Sequence, residues 1–100
     1  MLLFISSGLF HSMAMAGDIT AGEKKASFCI QCHGMSGVAD NLDVPIIAGQ
    51  NEGYLAAQLR SFRDGTRRST PMRLVTQNLS DEDIADLAAY YSSLKGLAPD

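Results

Sequence analysis

Cysteine and histidine are scarce in this sequence, with two of each in 100 residues. That is too little for a disulfide framework, and too little for two pairs of zinc ligands. Charge is scarce at the start: residues 1–16, MLLFISSGLFHSMAMA, hold no Lys, Arg, Asp or Glu. The apolar part of that stretch, Met1 to Met13, falls short of the roughly 20 residues that span a bilayer. A large positive charge is also lacking. The net charge is −3, which excludes binding nucleic acid by bulk charge. Nothing repeats, no tract is of low complexity, and no stretch alternates with period two. The chain reads as a single all-α domain.

The N-terminal stretch ends in Ala14-Met15-Ala16, the small-x-small pattern of a secretory cleavage site. The basic residue that opens such a leader is missing, so a retained apolar anchor is the alternative. We read residues 1–16 as a signal peptide and residues 17–100 as the domain, exported to the periplasm with no stable membrane insertion after cleavage. The remaining 84 residues are marginal by core burial alone and call for a staple. A disulfide between Cys29 and Cys32 would close too small a loop to supply it.

Helix signals are plain. Thr20 and Glu23 make a capping box, predicting a helix from about Ala21 to Ile30. Gly22 inside it predicts close packing of another backbone or helix. Residues 34–50 are rich in Gly, Asp, Asn and Pro and read as a long functional loop. Asn51 caps a helix from Glu52 to Asp64, ended by Gly65, with Tyr54, Leu55, Gln58, Leu59 and Phe62 on one face. Pro71 suits the first turn of a short helix holding Met72. Ser80, followed by Asp81, Glu82 and Asp83, opens the last helix. Its buried stripe is Ile84, Leu87, Ala88, Tyr91 and Leu94, and Gly96 stops it.

Both cysteines lie in FCIQCHG, and His33 follows the second at once. Zinc needs four ligands, and Cys29, Cys32 and adjacent His33 offer three at most. A redox dithiol would sit at the start of a helix after a strand; this pair sits at the end of a predicted helix. Cys-x-x-Cys-His is also the attachment pattern of a c-type haem. Two thiols would hold the ring, and His33 would project toward the iron. An exported chain is where such attachment occurs, and a large apolar ring would be the missing staple.

The ordered set CIQCHG, VPIIAGQ, YLAAQLRSFRDGTR, Met72 and LSDEDIADLAAYYSSL resembles the class I cytochromes c. Within them it is most similar to the bacterial cytochrome c4, c5 and c553 types, and looks like one half of a two-haem cytochrome c4. The resemblance covers Gly17 to about Gly96. It implies three main helices and a short one around a single covalent haem c. It also implies a methionine as the second iron ligand. Met1, Met13 and Met15 lie in the leader, and Met35 is two residues from His33, too close to pass round the ring. Met72 remains, where the family places its ligand. The family also implies that the Pro45 carbonyl accepts a hydrogen bond from the histidine ring.

The expected site is therefore Cys29, Cys32, His33, Pro45 and Met72, with iron between His33 and Met72. Arg60, Arg63 and Arg67 are candidates to meet the haem propionates. The implied function is one-electron transfer rather than enzymatic catalysis. Partners would be other redox proteins, such as cytochrome complexes, terminal oxidases or dehydrogenases, met transiently through the segregated basic and acidic residues. The alternatives are an electron-transfer subunit of a larger periplasmic dehydrogenase, a gas-binding haem protein, and a thiol-disulfide oxidoreductase.

Overall fold

A computed structural model describes residues 17–96; the expected leader, 1–16, lies outside the described residues. Five helices and no strand occur among those residues: α1 Ile19–Lys25, α2 Ser27–His33, α3 Glu52–Asp64, α4 Thr70–Thr76 and α5 Asp81–Ser92. The all-α expectation holds. None of these helices is long and apolar enough to cross a membrane.

The first expected helix is two helices. It starts earlier than Ala21, because Asp18 rather than Thr20 is the cap, its side chain accepting from Ala21 N at 3.0 Å. It breaks at Ala26, whose N–H turns to Glu23 O at 3.3 Å instead of the carbonyl one residue earlier. Ala26 is fully buried. The bend lets α1 lie along α5 while α2 carries the cysteines toward the interior.

Gly22 marks the α1–α5 crossing. A Cβ there would run into the Asp86 carbonyl and stand 2.7 Å from Tyr90 Cβ. This is the close approach predicted from a glycine inside a helix. The same crossing buries a face of α5 that periodicity did not assign: Asp86, Ala89 and Tyr90 are buried along with Ile84, Leu87, Ala88 and Tyr91. Asp86, 5% exposed, accepts Asp18 N–H at 2.8 Å and Lys25 Nζ at 2.6 Å. Lys25 also lies 2.9 Å from Asp83.

Lys25 and the Asp18 N–H hold the Asp86 carboxyl below the usual carboxylate range. An acid whose pKa is lower folded than unfolded adds stability above its ordinary value, about 3.9, and loses it as pH falls through the folded value. Asp86→Asn therefore melts below the parent near neutral pH, and the gap narrows below about pH 4. Thermal melts from about pH 7 to about pH 3 check both statements.

The other helices start where the sequence places them. Asn51 caps α3 by accepting from Tyr54 N at 2.9 Å, and Gly65 ends it at φ 84°. Ser69 caps α4 ahead of Pro71. Ser80 and Asp83 form a reciprocal capping box at α5. The last helix ends at Ser92, before Gly96. The Ser92 and Ser93 hydroxyls donate to the carbonyls of Ala89 and Tyr90, at 3.0 and 2.6 Å, satisfying the final turn without a glycine.

The loop after α2 folds back on itself. Gly34 leaves the helix at φ 85°, and the N–H groups of Ile47 and Ala48 both reach Gly37 O, at 3.0 and 3.2 Å. That closure returns Pro45 to the end of α2.

Candidate haem site

Cys29, Cys32 and His33 occupy the last turns of α2. Cys29 is half-buried and Cys32 exposed, and both thiols are free. His33 is 7% exposed, with Nδ1 2.9 Å from the Pro45 carbonyl oxygen. A carbonyl only accepts, so Nδ1 carries the proton and donates it. Nε2 keeps its lone pair, facing away from that bond. Burial pushes the Cys29 thiol up, while the Tyr91 hydroxyl draws it partly back.

Met72 is half-buried on α4. Its backbone is held at both ends: its N–H donates to Ser69 Oγ at 3.4 Å, and its carbonyl accepts from the buried Thr76 Oγ1 at 2.7 Å. The short helix thus presents the thioether from a fixed place.

Cys29, Cys32, His33, Pro45 and Met72 all line one cavity of about 460 Å³. That lies within the roughly 300–1,000 Å³ usual for small-molecule and cofactor sites. Leu55, Leu59 and Phe62 of α3 and Leu87, Ala88 and Tyr91 of α5 supply apolar wall. The face of α3 marked by periodicity is the face turned to this cavity, and Tyr54 is half-exposed at its edge. Two thiols on one helix, an imidazole held at Nδ1 by Pro45, a thioether from a second helix and hydrocarbon walls fit haem c. Met35 is 77% exposed and does not line the cavity. Among the described residues, no three His, Cys, Asp or Glu side chains converge on a point that could hold a metal.

The arginines sort differently from expectation. Arg63 is occupied elsewhere: Nη1 donates to Asp81 at 2.8 Å and to Leu79 O at 3.3 Å, and Nε to Asp64 at 3.1 Å. Neither it nor Arg60 lines the cavity. Arg67 does line it, stacked 4.7 Å over the Phe62 ring and donating to Gln58 Oε1 at 2.6 Å. Arg68, not among the propionate candidates, lines it too. Its place in TRRST, just before the α4 cap and Met72, was the available signal.

The cytochrome c family profile matches residues 19–95. The chain is 42% identical over 93 residues to cytochrome c4 of Pseudomonas aeruginosa, covering 93% of this chain and 46% of that protein. It is 47% identical over 81 residues to cytochrome c-554(548) of Halomonas halodenitrificans, covering 78% of this chain and 98% of that protein. Its fold is similar to the crystal structure of reduced recombinant cytochrome c4 from Pseudomonas stutzeri, with a TM-score of 0.71 and 32% identity, over 87% of this chain and 56% of that one. The chain thus spans about half the length of the cytochrome c4 it matches. Fold and family mark a protein of the haem c class. The chain belongs to the cytochrome c family.

Proposed function

We propose that this chain is a soluble periplasmic one-electron carrier, with haem c fixed through Cys29 and Cys32 and iron held between His33 and Met72. One observation carries the reading: these four side chains, from two helices, line a single largely apolar cavity. Haem c supplies a centre that gains or loses one electron. The Pro45 carbonyl keeps the His33 proton on Nδ1, leaving Nε2 for iron and raising its basicity. A neutral imidazole and a thioether inside hydrocarbon walls favour the ferrous state and a high potential. Two side-chain ligands leave no position open to a substrate. A dithiol enzyme fits less well, because the thiols sit at the end of α2 and burial pushes Cys29 away from the thiolate.

Intact mass of protein exported and matured by its native host tests the reading. The expected mass is that of Gly17 to Asp100 plus one haem. The mass of the bare polypeptide would overturn the haem assignment. Retention of Met1 on membrane-bound protein would replace the leader by an anchor.

Partners are redox proteins met transiently. Arg67, Arg68 and Arg73 crowd a shallow hollow of about 280 Å³, and the first two also line the haem cavity. An acidic face on the partner suits that rim. The bimolecular electron-transfer rate falls as salt shortens the screening length, about 10 Å at 0.1 M. A rate indifferent to salt would leave these arginines as ordinary solvated surface.

A further inference from the structure

Tyr91 has a role that iron ligation and haem attachment leave unassigned. Its side chain is 3% exposed and lines the cavity. Its hydroxyl is buried and has no hydrogen-bond partner among the described residues. Buried phenols nearly always find one, because the desolvated O–H is costly to leave unpaired. The ring is carried by α5 and makes an edge-on contact with Tyr90, centroids 4.9 Å apart at 63°.

Cys29 lines the same cavity. Cys29 also packs against the buried cluster that holds Tyr91, which puts sulfur and phenol in one neighbourhood; burial pushes both groups up. Sulfur is a weak acceptor, and forming a thioether leaves it lone pairs. The haem ring reaches the chain through this atom.

We propose that Tyr91 is a positioning residue whose hydroxyl donates a hydrogen bond to the Cys29 sulfur once that sulfur is a thioether of haem c. This rests on the attachment proposed above. The bond holds the sulfur toward the cavity and draws electron density from it, so the reduced state is favoured. Without the hydroxyl the potential falls.

The test uses the mature holoprotein and Tyr91→Phe, which keeps the ring and removes one oxygen. Intact mass comes first. A parent without haem would be a failure of the attachment reading and would overturn this inference with it. With haem present in both, the variant's ratio of reduced to oxidised protein at a fixed electrode potential should fall roughly two- to tenfold, the span of one modest hydrogen bond. Its melting temperature should not rise. The carbon–sulfur stretching band in the Raman spectrum should move. Tyr90→Phe, on the same helix but outside the cavity wall, should change neither potential nor band. In a Cys29→Ala background, attached through Cys32 alone, Tyr91→Phe should add nothing.

An unchanged ratio and band with a higher melting temperature would overturn the proposal, since removing an orphan hydroxyl relieves its cost. So would an equal effect of Tyr90→Phe, or an undiminished effect after Cys29→Ala. If Cys29→Ala yields no holoprotein, the Raman band of Tyr91→Phe decides alone: a shift supports the bond and no shift overturns it.

Discussion

In Met72→Ala the near-infrared band expected for sulfur bound to ferric haem vanishes, and the reduced protein binds carbon monoxide that the parent hardly takes up. The potential falls as well, by part of the roughly 0.8 V over which axial ligands tune haem, because the soft ligand that favours ferrous iron is gone. The fold should survive. The Met72 backbone is fastened by Ser69 and Thr76, and alanine keeps both bonds. The side chain is half-buried, so truncation costs less than the roughly 2–5 kcal/mol of a fully buried methionine. Spectra, carbon monoxide titration and voltammetry read the three effects separately. Met35→Ala, on the exposed loop, changes none of them. A Met72→Ala protein with the parent spectrum and potential would mean a different sixth ligand.

Gly22→Val melts well below the parent. The α1–α5 crossing has no room for a Cβ against the Asp86 carbonyl and Tyr90, so α1 must lift or α5 must shift. Overpacking a tight contact costs typically about 1–3 kcal/mol. Here the displacement also strains the bonds from Asp18 and Lys25 to Asp86, which span the same crossing. For a domain of this size about 1 kcal/mol moves the midpoint by about 4–8 °C, so the melt should drop by some 5–25 °C. Calorimetry checks it. An unchanged midpoint would mean that the helices can part at no cost.

The haem-attachment motif was legible because it is local. Cys29, Cys32 and His33 lie within five residues, and their spacing suggests haem attachment, which the ordered motifs around it then favour over zinc or a dithiol. Met72 and Pro45 were different. Neither residue type announces a role, and both were reached through the resemblance to a family. That they line the same cavity as the cysteines, with Pro45 O 2.9 Å from His33 Nδ1, is a fact of the folded chain. Arg63 shows the opposite outcome. It lies four residues before Arg67 and is as good a propionate candidate by sequence, yet it is held by Asp64, Asp81 and Leu79, while Arg67 turns over Phe62 to the cavity.

The sequence by itself determined the helical class, the span of α3 and the start of α5. Asn51, Gly65, Ser80 and Asp83 act on backbone groups within a few residues, and such short-range energies are written in neighbouring letters. It also announced the close helix contact at Gly22, since a glycine inside a helix is costly without one. Only the tertiary structure decided the break at Ala26, the burial of Asp86 and the burial of the Tyr91 hydroxyl. Asp86 meets Lys25 and Asp18 across 61 and 68 residues of chain. No local pattern distinguishes that buried carboxylate from its solvated neighbours Asp81 and Glu82, because what sets them apart is which helix packs against them.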